Sequence, residues 1–304
     1  MVFPGQGSQS VGMQGELAAS YPVVRQTYEE ASEILKYDLW ALVQGGPVAK
    51  LAETAVTQPA MLTAGIAAYR AWQAAGGPVP QQFAGHSLGE YSALVAAESL
   101  SFNDAMTVVI RRAELMQNAV PAGVGAMAAI IGLDDAGVIA ACDESSGIGI
   151  AEPVNFNSPG QVVIAGHKEA VDNAIAHCKA AGARLAMPLP VSVPSHSSLM
   201  IGAGNALEEA LAAAEFRVPA IKVLAATDGE AYTDGDDIRA RLSRQVYSAV
   251  HWVTTVNAMI DGGATAIVEC GPGKVLAGLC RRIDKSVPVY AVDTNKGLQK
   301  ALSA

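Results

Sequence analysis

Few segments of this chain restrict its fold as tightly as Gly85-His86-Ser87-Leu88-Gly89. A short apolar run, Gln82-Phe83-Ala84-Gly85, leads into it, and Leu88–Ala97 leaves it with a helical pattern. Glycines two residues either side of a serine mark a sharp strand-to-helix turn, because side chains at those flanks would collide there. The turn holds the Ser87 hydroxyl clear of the backbone. It also sits at a helix N-terminus, where unpaired N–H groups and the helix dipole favour developing negative charge. A plain Gly/Ser turn without chemistry would read the same, so the partners of Ser87 have to decide.

The surrounding sequence alternates strand-like runs and helices bounded by Gly and Pro. Amphipathic helices are expected over Tyr21–Leu35 and over Pro59–Ala75, the second beginning after an extended Thr57-Gln58. Another runs to about Gln117 behind a cap at Ser101 or Asn103. This alternation implies an α/β core with a mainly parallel sheet and helical cover. From Pro121 to His196 the pattern changes. Gly125–Gly132 reads as strand, Asp134–Glu144 as helix, and Ile148–Val154 and Gln161–Ala165 as strands around a turn over Asn155–Gly160. A helix over Lys168–Ala181 and a strand over Ala183–Leu189 complete a β-α-β-β-α-β, ferredoxin-like unit. The expected organisation is therefore a core of residues 1–120 and 197–304 with residues 121–196 inserted as a small subdomain.

Composition removes several function classes. Hydrophobic residues make up 51% of the 304 and charged residues only 16%, which excludes a disordered chain. A net charge of −9 with no Lys/Arg block argues against nucleic-acid binding, which depends on phosphate neutralisation. No apolar run approaches the ~20 residues that span a bilayer, and the start, MVFPGQGSQS, lacks the form of a signal peptide. Cys142, Cys178, Cys270 and Cys280 have no Cys-x-x-Cys spacing, so free thiols in a reducing cytoplasm are expected rather than a metal or disulfide framework.

A nucleophilic serine needs a base. Of five histidines, His86 is the neighbour of Ser87, His167 opens a helix and His177 lies mid-helix. His196 ends a proline-stiffened approach, Pro188–Ser195, that could present it rigidly. His251 would give the order Ser87, Asp228, His251 of the α/β-hydrolases. Spacing leaves both open. On the helix ending near Gln117, Arg112 falls within the apolar stripe of Ala105, Val108, Val109, Leu115, Met116 and Ala119, whereas Arg111 shares the polar face. A guanidinium facing the core needs an anion, either Glu90 in an internal salt bridge or a ligand carboxylate held bidentately.

Seven segments, FPGQGSQ (3–9), TQPA (57–60), GHSLGEY (85–91), GAMAAIIG (125–132), VNFNSPGQVVIAG (154–166), LPVSVPSH (189–196) and GPGKVL (271–276), together resemble the malonyl-CoA:acyl carrier protein transacylases of fatty acid synthesis. The resemblance covers nearly the whole chain. It implies an α/β-hydrolase-like core carrying the ferredoxin-like insertion, and a serine acyltransferase with no bound cofactor or metal. Malonyl-CoA and the phosphopantetheine of a carrier protein would be its substrates. By the same resemblance, Ser87 pairs with His196, whose ring is steadied by a backbone carbonyl assigned to His251. Backbone N–H groups of Gln6 and Leu88 form the oxyanion hole, and Arg112 binds the acyl carboxylate. Gln58 and Asn155 match polar pocket positions. An acidic carrier would need a basic docking patch, for which Arg281 and Arg282 with Arg184 and Lys274 are the candidates. Two departures stand out. Only Met1-Val2 precede Phe3, which means either a misassigned start or a shortened first strand. Leu224–Asp228 lacks the asparagine usual in that segment.

Overall fold

A computed structural model describes residues 1–191 and 193–303. Ser192 of the LPVSVPSH segment therefore lies outside the described residues. The strands are β1 (Val2–Phe3), β2 (Gln82–Gly85), β3 (Gly125–Ile131), β4 (Ala151–Ser158), β5 (Gln161–His167), β6 (Leu185–Pro188), β7 (Lys222–Leu224), β8 (Ile267–Cys270) and β9 (Val289–Val292). They form two sheets. The larger is parallel throughout, in the order β7-β2-β1-β8-β9. The smaller is antiparallel, in the order β4-β5-β3-β6, which is the ferredoxin-like arrangement of its unit.

β1 is only two residues long, yet Val2 and Phe3 are fully buried between β2 and β8. Phe3 packs edge-on or tilted against Tyr69 and Phe83, tying the sheet to the Thr54–Ala74 helix. Phe3 pairs with Gly85, so the loop after β1 and the Ser87 turn emerge side by side at the carboxyl edge of the sheet. Open parallel sheets place ligands at that edge. In the smaller sheet, Ile130, Val162 and Ile164 pack under the Asp135–Asp143 and Lys168–Ala180 helices. The alternate residues Met127 and Val163 turn to the other face, as a period of two requires.

Two local expectations are corrected. Thr57 and Gln58 are helical, because the helix runs from Thr54 to Ala74 with Pro59 inside it. Pro59 lies just past the first turn, so its missing N–H removes only one bond near the helix start. β4 extends through Ser158, and the turn shrinks to Pro159-Gly160. Bulges at Pro153/Asn155 and Phe156/Ser158 let these turn-favouring residues stay paired. Beside them, Phe156 N–H donates to the Val250 carbonyl and Val250 N–H to that of Val154, both at 2.8 Å, so the small sheet is bonded to the core. Of the two cap candidates, Ser101 accepts from Asp104 N–H and caps the Phe102–Gln117 helix. Among the described residues no helix is long and apolar enough to cross a membrane.

Candidate active site

Ser87 occupies the left-handed region at φ 52°, a conformation that costs roughly 1–3 kcal/mol for a residue with a side chain. The flanking glycines make this turn possible. A Cβ on Gly85 would lie 2.0 Å from the Gly89 carbonyl carbon, and one on Gly89 would lie 2.1 Å from the Phe3 carbonyl oxygen. The turn is thus pressed against both its own helix and the end of β1. Gly89→Ala is expected to destabilise the chain by about 3 kcal/mol, read as a lower urea midpoint at unchanged slope.

His196 is 5% exposed, and its Nε2 lies 2.7 Å from Ser87 Oγ. Its Nδ1 lies 2.8 Å from the Gln245 carbonyl oxygen, so Nδ1–H donates there and Nε2 is left as the acceptor for the serine proton. This corrects the assignment of the carbonyl to His251. Gln245 ends the Gly235–Gln245 helix, where the last carbonyls have no intrahelical donor. His251 is engaged elsewhere. Its N–H donates to the Ala226 carbonyl, its own carbonyl accepts from Thr255, and its ring stacks on Phe156 at 4.8 Å. Asp228 pairs with Arg241, so the hydrolase order is not assembled. Burial first, and then the charge of Arg112, lower the His196 pKa to about 3, which keeps the ring neutral.

Gln245 was the residue missed in the sequence. Ile238, Arg241, Leu242 and Gln245 follow i, i+3, i+4, i+7 spacing and all are buried, so periodicity could have turned Gln245 inward. That it would meet His196 has no local signal.

Arg112 is 1% exposed and, among the described residues, forms no ion pair. Its Nη1 donates to Gln58 Oε1 at 2.7 Å, and Nη2 to Gln245 Oε1 at 3.0 Å and to Ser87 Oγ at 3.3 Å. Nε has no acceptor. The internal salt bridge to Glu90 is therefore absent, and the buried cation beside Ser87 is held by neutral oxygens and by the Tyr91 ring, 5.8 Å from its guanidinium carbon. Burial lowers its pKa, while Tyr91 and Glu90 raise it.

Gln6 and Leu88 complete the approach to Ser87. A Cβ at Gly5 would lie 3.7 Å from Leu88 N, so the loop after β1 runs against the start of the Gly89–Ala96 helix. Neither Gln6 N–H nor Leu88 N–H has an acceptor among the described residues. Above them opens a cleft of about 480 Å³. Gln6, Ser87, Asn155 and His196 are among its polar lining, and Met127, Val163, Leu189, Val191, Leu276 and Leu279 among its apolar lining.

The family model for the acyl transferase domain matches residues 1–294. A malonyl CoA-acyl carrier protein transacylase of Escherichia coli (strain K12) is 54% identical over 301 residues, covering 99% of this chain and 97% of the relative. The chain belongs to this transacylase family. It is an acyltransferase, and the fold agrees throughout. The crystal structure of an acyl carrier protein S-malonyltransferase from Vibrio cholerae superposes with a TM-score of 0.95 at 53% identity, covering 98% of each chain. A malonyl-transacylase in complex with its holo type II polyketide synthase acyl-carrier protein (PlMCAT:AntF) superposes with a TM-score of 0.98 at 50% identity, covering 100% of this chain and 98% of that one.

The four basic residues suggested for docking in this family member differ in their partners. Arg281 and Lys274 are both exposed; Arg281 also donates to the Val289 carbonyl at 2.6 Å, and Lys274 lies 3.7 Å from Asp293. Arg282 is exposed and bonds Gln161, a residue of the cleft wall. Arg184 is exposed just before β6. Among the described residues no group of three or more His, Cys, Asp or Glu converges as a metal site.

Proposed function

We propose that this chain moves a malonyl group from malonyl-CoA to the phosphopantetheine thiol of an acyl carrier protein through a malonyl ester on Ser87. One observation carries the reading. Two buried groups of different purpose meet at a single hydroxyl, His196 Nε2 at 2.7 Å and Arg112 Nη2 at 3.3 Å. The first suits proton removal, and the second suits an acyl group ending in a free carboxylate. His196 takes the proton as Ser87 Oγ attacks the thioester carbonyl. The N–H groups of Gln6 and Leu88 receive the oxyanion, an effect of about 3 kcal/mol per donor. His196 then protonates the leaving sulfur of coenzyme A, and the ester remains on Ser87. The carrier thiol reverses these steps, exchanging one thioester for another in a ping-pong cycle that needs no redox or metal chemistry.

Gln58 contributes by orienting Arg112, and Asn155 by lining the cleft. Arg184, Lys274, Arg281 and Arg282, all exposed, are the proposed docking residues for an acidic carrier. Supply of fatty acid synthesis is the proposed role. Service to a type II polyketide carrier is the second reading, favoured by the complex named above. Residues 121–196 are proposed as a distinct subdomain inserted between 1–120 and 197–304, on the strength of their separate sheet. A cytoplasmic location agrees with four unpaired, buried cysteines.

The test is intact mass after mixing with malonyl-CoA alone. The protein is expected to gain one malonyl group, mapped to the peptide containing Ser87, and to lose it when the holo carrier is added. Steady release of coenzyme A without any carrier would instead identify a hydrolase.

A further inference from the structure

Arg112 and Glu90, a guanidinium and a carboxyl, are both fully buried and, among the described residues, form no ion pair with one another. Burial raises the Glu90 pKa to about 7. Between them lies the side-chain amide of Gln245, itself 1% exposed. Its Oε1 accepts from Arg112 Nη2 at 3.0 Å. Its Nε2 donates to Glu90 Oε2 at 2.6 Å and to the Ser87 carbonyl oxygen at 3.0 Å. Reversing the amide would set N–H groups against the guanidinium and an oxygen against two other oxygens, so three partners fix its direction. On its far side Glu90 accepts from the Tyr232 hydroxyl and from Ala226 N–H.

A guanidinium and a carboxylate this deeply buried would satisfy one another best in a direct bidentate pair. The amide spans the gap and gives each a hydrogen bond of the correct sense, while Arg112 Nε keeps no acceptor. We propose that the Gln245 side chain is a specificity-determining spacer, which keeps Glu90 from neutralising Arg112 and so leaves the guanidinium open to an acyl carboxylate. This rests on the reading of Arg112 given above. Gln245 then has two separable tasks. Its main-chain carbonyl, which any residue supplies, holds His196, whereas its side chain holds two charges apart and must be an amide of this length.

Transfer from malonyl-CoA and from acetyl-CoA, compared as a ratio of kcat/KM, cancels any loss common to both donors. Gln245→Ala is expected to lower the malonyl preference about tenfold or more, chiefly through a higher KM for malonyl-CoA. Adding Glu90→Gln is expected to return the preference to within about threefold of the wild type, because no carboxylate remains to capture Arg112. An unchanged preference in Gln245→Ala, or a double variant as unselective as the single one, overturns the spacer. Arg112→Ala in the same assay separates the two readings. If it retains the preference, the carboxylate site itself has failed. If it loses the preference while Gln245→Ala retains it, only the spacer has failed. Should the alanine variant not fold, Gln245→Asn carries the same comparisons, since its amide is one methylene too short to reach both charges.

Discussion

His196→Ala is expected to slow acyl-enzyme formation by about 10⁴-fold or more, while His251→Ala leaves it within about threefold of the wild type. The contrast follows from what each ring touches. His196 offers Nε2 to Ser87 Oγ and is locked in that tautomer by the Gln245 carbonyl. His251 stacks on Phe156, so its loss is expected to cost about 1 kcal/mol of stability and no chemistry. Among the described residues no carboxylate contacts the His196 ring, and the Gln245 main-chain carbonyl holds its Nδ1. The pH profile carries a second sign of the same arrangement. With His196 as the proposed base, its protonation would inactivate the serine, and its pKa is lowered to about 3 by burial and the Arg112 charge. Its acid limb should therefore lie well below the ordinary histidine value of about 6.5. Rapid-quench measurement of the acyl-enzyme against pH reads both effects. A rate lost in His251→Ala and kept in His196→Ala would restore the hydrolase order.

Features set by local geometry could be seen before the fold was known. The glycines around Ser87 are required by clashes within a few residues, and the structure places atoms where those clashes would occur. Arg112 was visible because a helix with one buried face must bury whatever stands in its stripe. The choice between His196 and His251 is of another kind. It depends on a helix end 49 residues away whose last carbonyl happens to face the ring. Nothing in residue type announces a main-chain acceptor, so the carbonyl was placed on the wrong residue. Asn155 to Ser158 misled for a related reason. Their side chains favour turns, but pairing with β5 and Val250, with two bulges, holds them extended. Thr57 and Gln58 precede Pro59, which favours an extended reading, but Pro59 sits close enough to the helix start that its missing N–H removes only one bond.

Arg112→Ala should reduce malonyl transfer about 100-fold or more in kcat/KM and acetyl transfer far less. Hydrogen bonds to charged groups contribute roughly 1.5–3 kcal/mol each, and a guanidinium can give a carboxylate two in parallel. An acetyl group ends in a methyl and has neither to lose. Some loss will be shared, because removing the guanidinium leaves Gln58 Oε1 and Gln245 Oε1 without a donor and loosens the surroundings of Ser87. The selectivity ratio separates this common part from recognition. Arg112→Lys should not restore the preference. An ammonium is a point charge without the planar fork, and it cannot serve Gln58, Gln245 and a carboxylate in the same geometry. Equal losses for both donors in Arg112→Ala would mean that the guanidinium only braces the serine. The carboxylate would then have to be recognised by other polar groups that line the cleft, such as Gln6 or Asn155. An unpartnered Nε on a cation with no ion pair argues for the first outcome, since a purely structural arginine at this depth would be expected to carry its own carboxylate.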